Sequence, residues 1–417
     1  MSINRREMLS SLGGLAVSTG WTNPAVGAVP TQTQNALPRK ADFAIPDGIT
    51  FLNSAYTHPL PRAVADAMAR WAEHRARPGA VMTSTGELAA QVRADFARMI
   101  NAKPSEIAFI PNTSTGENLV VNGLGIPDRA RSGINVVTDA LHFEGALIHL
   151  QALQQQRGLE VRTVMPKEFR IDIADLERAV DRNTSLIEVS SVAMYNGFQH
   201  DLKAVSDLAH AHGAYVYADI IQGAGAVPLD VRATGVDFCA CAGFKWLMSD
   251  FGLGFLYARE GLLESVVSRA QWGYHSVSRV ATHFLPHDPP GDSFFSWEAG
   301  RDASAVFEVG SRANGALAAL GVALPYILSI GVENIHAYRQ PMLRRLHAEM
   351  PRLGFQPVTP PETTSPLITF ATPRGAEIAP RLRDARINAR IAPNFIRLSP
   401  SVFNDMEDIE RLLEALD

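Results

Sequence analysis

The chain alternates short, wholly apolar runs with longer segments whose apolar residues recur every three or four positions. IAFIP (107–111), INVVTD (134–139), VRTVM (161–165), SLIEVSSV (185–192), AYVYADI (214–220) and FCACAGF (238–244) are of the first kind and predict strands. Helical spacing predicts helices over 61–74, 84–100, 115–124, 143–156, 173–180 and 201–213. The last opens on Asp201 and stops at Gly213, a start signal and a stop signal. ITFLN (49–53) predicts one further short strand. Strands that are apolar throughout, taken in turn with helices, predict an α/β fold with a mostly parallel sheet covered on both faces.

From about 313 the pattern changes. Two long helices (313–328 and 332–350) precede SPLITF (365–370), a helix near 376–385, short strands up to Leu398 and a closing helix over 406–416. This predicts a smaller C-terminal α+β domain. The division expected is 1–28 as a leader, 29–60 as an arm, 61–312 as the large domain and 313–417 as the small one. A loop-rich stretch at 272–306, with Trp272, Tyr274, His275, His283, His287 and Trp297, is placed to line an entrance.

Of the 417 residues, 46% are hydrophobic and 19% charged, a composition that builds a core rather than a disordered chain. The net charge is -5 and no long basic run occurs, which argues against nucleic acid as a partner. The two cysteines, Cys239 and Cys241, alternate along one predicted strand and so share a face. They read as small core residues, and no metal site is evident. At the N-terminus, Arg5-Arg6 precede a short apolar run, and Val26-Gly27-Ala28 supplies small residues for cleavage. That order resembles a twin-arginine signal and predicts a periplasmic enzyme delivered by the twin-arginine machinery. The run is too short and too polar to insert stably in a membrane.

In a parallel sheet, ligands gather beyond the carboxyl ends of the strands. Four predicted strand ends carry polar groups. After IAFI, Thr113, Ser114 and Thr115 stand at a helix start, where backbone N–H groups and hydroxyls favour an anion. After AYVYAD, Asp219 is a carboxylate that needs a partner, with Gln222 close behind. After FCACAGF, Lys245 is a cation that is expensive to bury unless its amine condenses with an aldehyde. After INVVTD, His142 and Phe143 offer a ring to stack on a planar group, with His142 preferred. Phosphate, ring nitrogen and aldehyde are the three demands of pyridoxal 5'-phosphate.

With these residues in place, the chain resembles a class V aminotransferase of the fold type I pyridoxal phosphate enzymes, in the branch of isopenicillin N epimerase-like proteins and cysteine desulfurases. NTSTGENLVVNGL resembles the family's phosphate segment, DIIQGAG its Asp-x-x-Gln, and GFKWLMSDFGLGFLY its lysine segment. The resemblance implies a substrate-side segment at LNSAYTHPLP, with Asn53, and a carboxylate-holding arginine, Arg397, in FIRLSPSVFN. It implies a homodimer in which FEVGSRANGALAALGVAL carries Ser311 into the partner's site. Ser191 stands where many relatives place Asn, and Ala242 and Phe244 where many place Ser and His. No cysteine precedes Arg397, where a desulfurase keeps its sulfur acceptor.

The roles so implied give Lys245 the cofactor and the α-proton, Asp219 the ring nitrogen, Gln222 or Ser191 the phenolic oxygen, and Arg397 a substrate carboxylate. The substrate expected is a small amino compound, with an exported peptide or siderophore precursor as one form. Transamination is the first expectation, on family breadth. A lyase or an epimerase is the alternative, and a periplasmic binding protein without chemistry is the reading from another class.

Overall fold

The computed structural model describes residues 3–4, 36–77, 85–263, 265–282 and 295–417. Seven strands form the central sheet: β1 (Ile107–Ile110), β2 (Asn135–Asp139), β3 (Glu160–Val164), β4 (Thr184–Ser190), β5 (Tyr215–Asp219), β6 (Phe238–Ala242) and β7 (Gly254–Ala258). Their order across the sheet is β1-β7-β6-β5-β4-β2-β3. All neighbours run parallel except β7, which is antiparallel to both β1 and β6.

Each central strand is apolar on both faces because both faces are covered. On β5 and β6, Val216, Ala218, Cys239 and Cys241 face one core, which includes residues of the helices Thr85–Met99, Leu202–Ala211 and Asn314–Ile330. Tyr217, Phe238 and Ala240 face the other, with residues of the helices Thr113–Gly123 and Glu144–Arg157. Alternate side chains of one strand thus feed two cores, which removes the polar face an exposed sheet would show. Cys239 and Cys241 are free thiols on one face of β6, as their spacing predicts.

The strand β7 was not anticipated. Its segment reads as a continuation of the apolar lysine stretch, and nothing in the residue pattern gives a strand's direction. The chain leaves β6, turns through residues 243–253 and returns beside it, with Gly243 N–H bonded to Leu253 O at 2.9 Å. Gly254 permits the return: a Cβ there would lie 2.2 Å from Cys241 O. Lys245 therefore sits in a connection tied at both ends to adjacent strands.

The smaller layer holds an antiparallel sheet of Gln356–Pro357, Ile368–Ala371, Phe395–Leu398 and Arg390–Ala392, in that order. Thr50–Phe51, at the predicted strand near 49–53, pairs instead with Ile387–Asn388, so the arm joins this layer. A separate core of Leu52, Met342, Leu346, Phe370, Ile396 and Leu412 fills it. The helix Val332–Glu349 contributes to both cores, through Ile335 to the large one and Met342 to the small one.

The stretch 272–306 is largely an antiparallel ribbon of Val277–Thr282 and Phe295–Ala299, joined at its edge by Ile3–Asn4. Trp272 and Trp297 meet edge to face, 5.1 Å apart, with both rings exposed. His283 and His287 lie outside the described residues, as do residues 5–28 of the expected leader.

One buried polar group sits under the helix Thr113–Gly123. Glu188 of β4 is fully buried and neither carboxylate oxygen has a partner, while nearby Glu117 accepts from His149 Nδ1 at 2.8 Å. Burial, with Glu117 beside it, pushes the Glu188 carboxyl well above its usual 4.5. Unfolding therefore releases its proton above that pH, and its contribution to stability is lost as pH rises. Glu188→Gln ionises in neither state. Its melting temperature should gain on wild type as pH goes from about 5 to about 8, by a few degrees. A gap in thermal melts that stays constant or narrows would count against the buried neutral acid.

Candidate active site

At the carboxyl ends of β5 and β6, two oppositely charged side chains are held out of water. Asp219 is 4% exposed and Lys245 9% exposed. The Asp219 carboxylate accepts the Ile221 N–H at 2.9 Å, yet burial still raises its pKa to about 6. Burial lowers that of Lys245 to about 8, with the charge of Arg397 in the same direction and those of Asp219 and Glu144 opposing it. Burial thus works against the charged form of each group, as it does at many functional sites.

The two loops interlock. Gly225 adopts φ +84°, and a Cβ there would lie 2.6 Å from Trp246 O, so the Asp219 loop packs directly on the lysine loop. Trp246 Nε1 donates to Gln222 Oε1 at 3.0 Å, and Gln222 Nε2 donates to Ala55 O at 3.1 Å. The Arg339 guanidinium lies 5.3 Å from the Trp246 ring centroid. Gln222 therefore ties the arm to the lysine loop, and its carboxamide oxygen is already committed. Ser191, expected beside it, bonds through both backbone N–H and hydroxyl to Asp219 O, at 2.8 and 3.2 Å. Both residues stand at the site, and their visible bonds hold Asp219 and Lys245 in place.

The helix Thr113–Gly123 begins directly after β1. Asn112 caps it, its Oδ1 accepting from Thr115 N at 2.9 Å and from Thr115 Oγ1 at 3.1 Å. The Thr115 hydroxyl is thus turned back onto the cap, which leaves Thr113 and Ser114 as the side chains nearer the helix start. Ser114 faces the start of the next helix: a Cβ on Gly145 would meet Ser114 Oγ at 3.0 Å and the Phe143 ring at 2.6 Å.

His142, the ring expected to stack on the cofactor, is anchored by a buried hydrogen bond. It is fully buried, with Nδ1 bonded to Ser190 Oγ at 2.9 Å and Nε2 without a partner. Burial lowers its pKa to about 4, so the ring is neutral. Phe143 is half-buried beside Ser114. Sequence alone could not separate them, because adjacent residues at a strand-to-helix turn point in different directions.

Arg397 comes from Phe395–Leu398 in the small layer and is 8% exposed. It donates from Nη1 to Met194 O at 2.7 Å, while Nε has no acceptor. Burial lowers its pKa to about 10, with Arg390 contributing. Asn53 bridges to Ser399, two residues beyond Arg397, and its buried Oδ1 is also unpartnered. Ser311 stands exposed, accepting from the Tyr274 hydroxyl at 3.4 Å. Sequence reading missed the roles of Trp246 and Arg339. The tryptophan directly follows the lysine and was visible, but its bond to Gln222 exists only once the loops meet.

These residues fit pyridoxal phosphate. A helix start suits its phosphate, a buried carboxylate suits its ring nitrogen, and an amine with a lowered pKa suits its aldehyde. At pH 8 about half of Lys245 is neutral, against under about 1% for an ordinary lysine. The rate of pyridoxal phosphate uptake should therefore climb with pH and level off near 8. Borohydride should then fix the adduct at residue 245, read by peptide mass spectrometry. A rate still climbing steeply at pH 10, or an adduct elsewhere, would contradict this assignment.

Residues 50–412 match the family model described as "Aminotransferase class-V". A probable cysteine desulfurase of Methanothermobacter thermautotrophicus is 30% identical over 331 residues, 77% of this chain and 77% of that protein. A cysteine desulfurase of Cronobacter sakazakii is 27% identical over 392 residues, 88% of this chain and 92% of its own length. The crystal structure of the Escherichia coli cysteine desulfurase CsdA superposes with a TM-score of 0.77 at 21% identity, over 91% of this chain and 96% of that one. The cystine C-S lyase C-DES, solved with its product cysteine persulfide, gives 0.76 at 22% identity, over 88% and 97%. At such identities the superpositions establish the fold. The family match and these relatives establish pyridoxal phosphate as the cofactor. They also overturn the periplasmic expectation, since the relatives matched are cytoplasmic enzymes and not twin-arginine substrates.

Proposed function

The chain belongs to the class V aminotransferases, pyridoxal phosphate enzymes that act at the α-carbon of an amino acid, and on that basis we propose a lyase rather than a transaminase. The transaminase expectation gives way to its alternative because the relatives reported above are named as desulfurases and a C-S lyase. The cysteines carry the finer choice. The chain has two, both are buried on β6, and burial raises both thiol pKa values far above the usual range. No cysteine of this chain is positioned to receive sulfur as a protein persulfide. The reading is therefore an elimination whose leaving group departs as a free small molecule.

The bound cofactor supplies an electron-withdrawing ring that makes the α-proton acidic. The chain does the rest. Arg397 orients the substrate through its carboxylate, using the Nε donor that has no acceptor. Asp219, ionised against the cationic ring nitrogen, keeps that nitrogen protonated. The neutral Lys245 amine takes the proton from the α-carbon, and the β-substituent leaves with its bonding electron pair. Thr113, Ser114 and the helix N-terminus would hold the phosphate, and His142 or Phe143 would lie against the ring. The interlocked Trp246 and Gln222 keep water and motion away from the lysine.

Elimination releases a 2-keto acid and ammonia in equal amounts without any keto-acid co-substrate. Given amino acids with a β-leaving group, the loaded protein should form both, measured by coupled dehydrogenase assay. Lys245→Ala should lose at least about a thousandfold in rate. Product that appears only when a keto-acid acceptor is added would restore the transaminase.

We also propose that the working form is a homodimer. Trp272, Tyr274 and Trp297 are exposed around the Val277–Thr282 ribbon, with the Tyr274 hydroxyl reaching Ser311, and a second copy would cover them. Light scattering should give twice the chain mass. An active monomer would remove Ser311 from any shared site.

A further inference from the structure

Arg339, on the helix Val332–Glu349, is 1% exposed and makes no ion pair among the described residues. Its Nη2 donates to Ala226 O at 2.6 Å, while Nε and Nη1 have no acceptor. Burial alone lowers its pKa to about 9. The titratable groups its charge acts on, His58 and His336, are driven neutral and do not offset it. Burial first, with the Arg339 charge adding to it, holds His58 at about 4 and lowers His336 as well. A lone buried guanidinium is costly, and an apolar side chain of similar length would fill the place at less cost. The guanidinium makes two contacts that such a side chain cannot. Ala226 lies in the turn that follows Asp219, and Trp246, whose ring centroid is 5.3 Å away, directly follows Lys245.

The other ties on these loops come from the sheet ends and the arm. Trp246 donates to Gln222 of the Asp219 loop, and a Cβ on Gly225 would meet Trp246 O. The His58 N–H reaches Phe244 O at 3.2 Å, and the His58 ring stands 5.9 Å from that of Trp246. Arg339 adds a tie from the helix that joins the two cores. We infer that Arg339 is a positioning residue for Lys245: it clamps the lysine loop, through the Trp246 ring, to the Asp219 loop, through the Ala226 carbonyl. This rests on the reading of Lys245 as the residue that takes the pyridoxal phosphate aldehyde. The charges that act on Lys245 are those of Asp219, Arg397 and Glu144, and burial outweighs each of them. Its lowered pKa therefore depends first on the loop staying closed to water.

The test measures pyridoxal phosphate uptake by the unloaded full-length chain from about pH 6 to about pH 10, with thermal melts of the same samples. The midpoint for wild type should lie near 8. Arg339→Met keeps an apolar stem and removes the clamp. Its midpoint should lie at least about one pH unit higher, so that uptake at about pH 8 is about fivefold slower. Its melting temperature should stay within a few degrees of wild type, because loss of an unpaired buried charge offsets the lost bond. Arg339→Lys keeps the charge and a donor without the planar contact. Its midpoint should lie between the two, and it decides alone if Arg339→Met does not fold. Midpoints that stay near 8 in the variants, even with lower melting temperatures, make Arg339 a packing residue. That result overturns the inference and leaves the enzyme reading intact. Wild-type uptake with no midpoint near 8 overturns the reading of Lys245, and this inference with it.

Discussion

Two opposite charges are withheld from water at the ends of adjacent parallel strands, and the rest of the molecule is arranged around that constraint. Lowering the Lys245 pKa from 10.5 to about 8 corresponds to about 3 kcal/mol against its charged form. Raising that of Asp219 opposes its charge in turn. A fold that keeps both groups buried needs neighbours that cannot relax away from them. Gln222, Trp246, Ser191 and Gly225 are those neighbours, and each bonds or packs against the loop next to its own. In the proposed placement the cofactor would satisfy both groups at once, with its ring nitrogen for one and its aldehyde for the other.

The two layers divide the chemistry. The sheet and its helix starts hold the parts of the site that serve the cofactor. The small layer and the arm bring Arg397 and Asn53, the residues proposed to meet the substrate. The helix Val332–Glu349 contributes to both cores, and its Arg339 lies against Trp246. Movement between the layers would therefore be felt at the lysine loop. This arrangement lets one cofactor scaffold serve many substrates, since substrate contacts can change on the small layer while the sheet ends stay fixed.

Much of this was legible along the chain. Lys245, Asp219 and the Thr113 helix start announced themselves because each is a polar group at the end of an apolar run, where burial without a ligand is costly. Arg397 was legible only through resemblance to a family. Other features were hidden for physical reasons. His142 and Phe143 are adjacent, and only the turn they occupy decides which ring is walled in. Thr115 looks like Thr113 until Asn112 is seen to take its hydroxyl. The contacts of Arg339 with Ala226 and Trp246 depend on how distant segments meet, and the direction of β7 on how the chain returns from the lysine loop.

The residue order by itself determined the layered α/β sheet, the two apolar faces of its strands and the polar groups at their ends. Those follow from periodicity and from the cost of desolvating charge, both of which act locally. Only the tertiary structure decided which of those groups face a common space, which are already paired, and which stay without a partner. Pairing depends on distances between segments far apart in the chain, and no local pattern encodes them.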